Sequence, residues 1–373
     1  MEFRDLKTQY QKHKEEIDGA IQKVLEKADF ISGAEIQILE ERLAEYVGVK
    51  HCISCANGTE AMTLVLMAWG IGKEDAIFVP DFTFFSTGEV VSLSGATPIF
   101  VDIDPITFNI DTIKLEKAIQ RVIKKGELKP KAIIPVDLFG LPADHNAIGR
   151  IAEKYNLLVL EDAAQGFGGS INGQKAGSFG HAATTSFFPA KPLGCYGDGG
   201  AIFTNDDRLA SLLNSLKVHG KGKNKYDNVR IGLNSRLDTI QAAVLNVKLT
   251  AFIEHELEDV NKIYLLYNKK LDGAVGIPVV PAGYYSSFAQ YTIKLKNKSE
   301  RDALKTRLSE HKIPSMIYYS KPMHRQEAFS DQEFDDVDYM VTNKLCETVL
   351  SLPMHPYLTE KEIDEVCNLI IDV

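Results

Sequence analysis

Short apolar runs at 49–55, 76–80, 96–101, 132–136 and 157–160 alternate with stretches of helical periodicity, and this alternation constrains the fold more than any other feature. Repeated strand, helix, strand predicts an α/β fold whose mostly parallel sheet is covered by helices on both faces. Ligands of such sheets gather beyond the carboxyl ends of the strands. Residues that follow the strand ends therefore carry the most functional information: Gly58 and Thr59, Phe84, Asp162, and a loop from Ser186 that contains Lys191.

Helical periodicity also covers 5–29 and 36–47 before the first strand, then 111–125, 144–155, 206–217 and 237–271. From about residue 275 the pattern becomes α+β-like, with strands expected at 288–295 and 315–319 and helices at 299–311 and 359–371. At 373 residues the chain exceeds the usual size of one core. A boundary near 250 gives a large domain, 1–250, and a smaller α+β C-terminal domain, 251–373.

Lys191 precedes Pro192 in a segment too rich in Pro and Gly for a helix interior, so its amine projects from an irregular loop. A lysine amine attacks carbonyls, which is how proteins anchor pyridoxal 5′-phosphate. A solvated surface lysine is the plain alternative. Gly58-Thr59 opens a helix, where free amides, a hydroxyl and the positive helix end make a phosphate seat, or simply an N-cap. Asp162 closes an apolar strand, where a carboxylate is costly without a cationic partner. A pyridinium N–H is such a partner, and a protonated ring acts as an electron sink. Gln165 is placed to reach the ring hydroxyl, Phe84 to stack on the ring, and Ser186 to add a hydroxyl at the phosphate.

Other classes are disfavoured. Net charge of −9 argues against non-specific nucleic-acid binding. No apolar run reaches the roughly 18 residues that span a bilayer, and Met1–Lys7 lacks the apolar core of a signal peptide, so a cytoplasmic protein without membrane contact is expected. Five cysteines, an odd count, suggest free thiols. Cys52 and Cys55 form a C-x-x-C with no second pair, which reads as buried inert thiols, and no metal site is expected. No G-x-G-x-x-G opening a helix, no G-x-x-x-x-G-K-[ST] and no H-E-x-x-H occurs. The polar stretch Lys217–Arg236 carries Lys221, Lys223, Lys225, Arg230 and Arg236, either as a diphosphate contact or as a solvated surface.

Four blocks resemble the signatures of the DegT/DnrJ/EryC1/StrS nucleotide-sugar aminotransferases: Asn57-Gly58-Thr59-Glu60-Ala61, Glu161-Asp162-Ala163-Ala164-Gln165, the run from Ser186 to Gly194, and the run from Gly232 to Asp238. The resemblance extends from Phe3-Arg4-Asp5-Leu6 to Ser351-Leu352-Pro353-Met354-His355-Pro356. It implies an aspartate-aminotransferase-like fold (PLP fold type I) and pyridoxal 5′-phosphate held through Lys191. By the same resemblance Asp162 meets the ring nitrogen, Gln165 lies beside the ring hydroxyl, and Thr59 and Ser186 hold the phosphate. Asn234 is implied to reach the phosphate from a neighbouring subunit, making a homodimer with shared sites.

Lysine at 191, rather than the histidine of related sugar dehydratases, favours transamination. L-Glutamate is the implied donor and a UDP- or dTDP-linked keto-sugar the acceptor. Within the family the resemblance is strongest to UDP-2-acetamido-2-deoxy-3-keto-glucuronate (ribo-hexuluronate) aminotransferases of surface polysaccharide (lipopolysaccharide O-antigen) biosynthesis. There an arginine at the Arg236 position meets the sugar carboxylate, and a His-Tyr pair lies where Tyr318-Tyr319 stands. The alternatives are another 3- or 4-keto deoxysugar and a catalytically silent regulator of the same fold. A regulator would be expected to lose Lys191 or Asp162, and both are present.

Overall fold

The alternating runs assemble into one seven-stranded sheet in a computed structural model that describes residues 1–224, 226–331 and 334–371. Helices α1 (Leu6–Lys12), α2 (Lys14–Lys27) and α3 (Ala34–Val47) precede β1 (His51–Cys55) and α4 (Gly58–Ala68). The chain continues through β2 (Asp75–Pro80), α5 (Ser86–Leu93), β3 (Thr97–Val101), α6 (Thr112–Lys125), β4 (Lys129–Ile133), α7 (His145–Tyr155) and β5 (Leu158–Asp162). A small hairpin, β6 (Ser170–Ile171) and β7 (Gln174–Lys175), leads into β8 (Ala182–Ser186), β9 (Gly200–Thr204) and α8 (Asp207–Leu216).

Spatial order in the sheet is β1-β9-β8-β5-β4-β2-β3. Only β9 runs against its neighbours; the pairs β8–β5, β5–β4, β4–β2 and β2–β3 are parallel. Strands β1, β8, β5 and β2 therefore all end on one edge. The connection from β8 back into β9, residues 187–199, must turn over that edge, and it carries Lys191.

Helix periodicity decides what covers the sheet. Leu64, Val65 and Leu66 of α4 pack with Val90 and Val91 of α5 in one cluster. Leu115 and Ile119 of α6 pack with Ile148 of α7 in another. Each such side chain contributes roughly 1.5–3 kcal/mol on burial. Acid and amide caps start the helices: Asp111 and Asp206 each accept two first-turn amides, of α6 and α8, and Asp144 accepts one of α7.

Beyond α8, α9 (Thr239–Ala251) continues through a π turn, Phe252–Glu256, into α10 (Leu257–Leu271). Next come β10 (Tyr284–Tyr285), β11 (Tyr291–Lys294), α11 (Lys298–Glu310), α12 (Met340–Thr348), β12 (Val349–Leu352) and α13 (Glu360–Ile371). β11 and β12 pair antiparallel, and Tyr267, Tyr291, Leu350 and Ile363 centre their own cluster. Met323, Phe329 and Tyr339 pack instead with Phe100 in the first cluster. We propose residue 250 as the domain boundary, with 323–331 and 334–339 crossing back. No helix among the described residues is long and apolar enough to cross a membrane.

Several elements differ from the periodicity. The helix expected over 5–29 breaks at His13, whose φ of −113° and ψ of 21° leave the helical range. The strand expected at 132–136 sits at 129–133, because Pro135 has no N–H for the ladder and only Val136 bridges onward, to Asp162. Residues 315–319 form no strand; Met316 makes a single bridge to Ser351 and the following tyrosines turn into the cleft described below.

Gly140 joins the two parts of the molecule. Its φ is +107°, and a Cβ there would lie 2.5 Å from the Phe288 nitrogen and 2.8 Å from that of Ala289. Its carbonyl accepts the Ser287 N–H at 3.0 Å. Gly140→Ala is expected to cost about 1–3 kcal/mol from backbone conformation alone and to lower the apparent Tm. Gly149→Ala, in α7 with nothing within 4 Å of its Cβ, is expected to hold or raise it. Equal Tm values for the two variants would contradict this account of Gly140.

Candidate active site

The strand ends converge on a cleft of ≈ 930 Å³ lined by Gly58, Thr59, Phe84, Asp162, Gln165, Ser186, Lys191, Tyr318 and Tyr319, among others. At one end lies the start of α4. Asn57 caps it by accepting the Glu60 N–H at 2.8 Å, while the Gly58 and Thr59 amides find no acceptor among the described residues. The positive helix end is thus open to the cleft. Gly58 approaches the end of β8 so closely that a Cβ on it would fall 2.8 Å from Ser186 Cβ. Ser186 Oγ accepts the Phe188 N–H at 3.3 Å.

Asp162 is the last residue of β5 and is 5 % exposed. Its carboxylate accepts the Ala164 N–H at 3.1 Å and the Thr87 hydroxyl at 3.2 Å. Burial pushes its pKa up, against these hydrogen bonds and the charge of Lys191. Lys191 is half-buried, and desolvation pulls its ammonium below the ordinary lysine value while Asp162 holds it up. Each charge is costly alone, and the two face one cleft. A cationic ring nitrogen beside Asp162 would relieve the carboxylate as Lys191 gives up its own charge.

Gln165 is held at both ends of its amide. Its Oε1 accepts the Phe139 N–H at 2.8 Å, which fixes the orientation of the amide, and its Nε2 donates to the Tyr319 hydroxyl at 3.1 Å. The second Nε2 hydrogen remains for a ligand. Burial pushes the Tyr319 phenol up, so it stays protonated. Phe84 stands on the wall 55 % exposed, and Tyr318 packs edge-on to Phe3 at 6.2 Å. Behind Asp162 lies a buried group. Asp137 donates its N–H to the Asp162 carbonyl at 3.0 Å and accepts the Ala143 N–H and a His145 ring nitrogen. Burial and the adjacent Asp137 raise Glu161 well above the usual carboxyl range.

Asn234 and Arg236 do not line this cleft. Asn234 is exposed and Arg236 half-buried, and between them Ser235 Oγ accepts the Ala56 N–H at 3.1 Å. The Arg236 guanidinium has no hydrogen bond or ion pair among the described residues. Lys221, Lys223 and Arg230 also lie off the cleft, with Arg230 donating to Ser215, and Lys225 falls outside the described residues. All five cysteines are free and buried; burial raises Cys55 to about 12 and Cys195 to about 11, so neither is nucleophilic near neutral pH.

Sequence reasoning missed Thr83 and Thr87, whose hydroxyls lie 3.2 Å apart and pass a hydrogen bond to Asp162. Two threonines four residues apart after a strand end were the available signal. It also missed Lys321 and Gln326 on the far wall, which depend on a return crossing that carries no local pattern.

The residues present fit pyridoxal 5′-phosphate: open amides at the start of α4 beside the Ser186 hydroxyl for a phosphate, a buried carboxylate for a ring cation, and a desolvated amine. Comparison with known proteins points the same way. Residues 11–371 match the DegT/DnrJ/EryC1/StrS aminotransferase family. The UDP-2-acetamido-2-deoxy-3-oxo-D-glucuronate aminotransferase of Pseudomonas aeruginosa is 45 % identical over 98 % of each chain. A solved DegT DnrJ EryC1 StrS aminotransferase from Brucella abortus is 50 % identical with a TM-score of 0.96, covering 99 % of this chain and 98 % of that one. NtdA from Bacillus subtilis, solved with bound cofactor PMP, is 29 % identical with a TM-score of 0.86, over 97 % of this chain and 82 % of its own.

Gly58→Ala is expected to raise the Kd for pyridoxal 5′-phosphate about tenfold or more, read by absorbance titration, and to leave the melting temperature of cofactor-free protein within about 2 °C. An unchanged Kd would remove the phosphate from this seat.

Proposed function

Because the chain belongs to the DegT/DnrJ/EryC1/StrS aminotransferase family, whose enzymes depend on pyridoxal 5′-phosphate, we propose that it moves an amino group from L-glutamate to the keto carbon of UDP-2-acetamido-2-deoxy-3-keto-glucuronate. The reading rests above all on one juxtaposition: Lys191, Asp162 and the open amides of α4 share a cleft. The bound cofactor supplies a ring that takes up the electron pair left when a proton leaves the substrate carbon.

This chain's residues do the rest. Lys191 Nζ would hold the cofactor and, as a free amine, would take the proton from the glutamate α-carbon and deliver one to the sugar carbon that receives the amino group. Asp162 would keep the ring nitrogen protonated. The Gly58 and Thr59 amides and the Ser186 hydroxyl would hold the phosphate, Gln165 would meet the ring hydroxyl, and Phe84 would cover the ring. Tyr318 and Tyr319 line the sugar side. Asn234 and Arg236 serve the cleft of a second copy in a homodimer, where Arg236 meets the uronate carboxylate in a planar, bidentate pair. That its guanidinium has no hydrogen bond or ion pair among the described residues supports that assignment. We assign the enzyme to the cytoplasm and its products to surface polysaccharide synthesis.

Run in reverse with 2-oxoglutarate, the protein is expected to deaminate the UDP-linked 3-amino uronate in preference to neutral amino sugars. Arg236→Ala is expected to lower kcat/KM on the uronate by about 100-fold, with little effect on a neutral sugar. Turnover confined to sugars without a carboxylate would reject the uronate, and full turnover by Lys191→Ala would reject the lysine's role.

A further inference from the structure

The lysine loop is held from beneath by two cations that no step above uses. Within residues 187–199 the backbone closes on itself through Phe187 N–H to Gly199, Lys191 N–H to Phe188 and Cys195 N–H to Phe187. The carbonyls of Lys191, Pro192 and Gly194 accept no backbone donor among the described residues. Two side chains bond them instead. The Arg4 guanidinium donates to the Lys191 carbonyl at 3.1 Å and the Pro192 carbonyl at 3.2 Å. The Lys248 ammonium donates to the Gly194 carbonyl.

These are expensive donors to place there. Lys248 is 1 % exposed on α9, and burial pulls its pKa down to about 8 against the opposing field of Glu256. Neither cation forms an ion pair within 4 Å among the described residues; Glu256, itself 4 % exposed, bonds Gln9 and Tyr357 directly and acts on Arg4 and Lys248 through its charge. Buried charge spent on neutral carbonyls fixes geometry, since charge-assisted bonds are short and directional. Arg4 also sits on a strap that reaches the opposite wall. Phe3, its neighbour, packs edge-on to Tyr318 at 6.2 Å and accepts the Met354 N–H at 3.2 Å, while Asp5 caps α1 through Thr8.

We infer that Arg4 and Lys248 are positioning residues for Lys191, holding residues 191–194 by three carbonyls and tying that stretch, through Phe3, to the Tyr318 wall. The inference rests on Lys191 being the cofactor lysine. Both Arg4 bonds come from one guanidinium nitrogen, Nη2, so a lysine at this position, with three N–H donors on a differently shaped side chain, keeps only part of the clamp. Without the clamp the amine keeps its chemistry and loses its placement, which costs the proton transfer more than it costs cofactor binding.

The test uses the cofactor-loaded enzyme and the variants Arg4→Gln, Arg4→Lys and Lys248→Met. Two readouts are followed: kcat against KM, and the pH midpoint of the bound cofactor's visible absorption. Arg4→Gln is expected to lower kcat about tenfold with KM nearly unchanged. It should also shift the absorption midpoint by about half a pH unit, with cofactor still bound one per chain. Arg4→Lys is expected to fall between it and the parent. Parent-like kcat and midpoint in both Arg4 variants, with at most a lower Tm, would overturn the inference and leave a merely structural strap. If Lys248→Met does not fold, the Arg4 pair decides. A parent protein that binds no pyridoxal 5′-phosphate, or a Lys191→Ala variant with the parent's absorption, would defeat the functional reading itself, a result distinct from failure of the clamp alone.

Discussion

A carboxylate at the end of a buried strand cannot remain alone, and the site is built around that constraint. Asp162 closes β5 with its side chain buried, where an unpaired charge is among the costliest things a fold can contain. Two donors, Ala164 N–H and Thr87 Oγ1–H, offset part of the cost, and Lys191 across the cleft offsets more. The topology makes this meeting possible. β8 lies beside β5, and the reversed strand β9 forces the chain leaving β8 to turn back over the edge where Asp162 stands. A parallel continuation from β8 would have carried Lys191 away through a helix.

Much of this was legible in the sequence, for definite reasons. Parallel strands buried on both faces read as continuous apolar runs, so β2, β3 and β5 were found within two residues of their ends. Gly58, Asp162 and Lys191 follow strand ends, and a parallel sheet brings such positions together without any knowledge of packing. The roles that depend on long-range contact were not visible. Tyr319 reaches Gln165 across 154 residues of sequence, and no local pattern announces that bond. Residues 315–319 have strand-like composition, and tertiary packing overrides it because their tyrosines are drawn to the cleft.

The long helix near the centre of the chain carries a similar lesson. Its periodicity over 237–271 is real, and the π turn at Phe252–Glu256 inserts into it without a proline or glycine to mark the place. Phe252 and Glu256 of that turn are both buried. Phe252 packs on Phe167, and Glu256 faces the cations beneath the lysine loop. The cleft is therefore assembled from both ends of the chain: strand ends from the first 204 residues, the 317–326 wall from the return crossing, and the Phe3-Arg4 strap that touches each.

The identity of Lys191 as the residue that bonds the cofactor is the central claim, and reductive trapping tests it most directly. Protein loaded with pyridoxal 5′-phosphate is treated with borohydride, digested, and mapped by mass spectrometry. One phosphopyridoxyl group per chain, on the peptide containing Lys191 and on no other, is the predicted result. A label on any of the other lysines, or none on the Lys191 peptide, would contradict it.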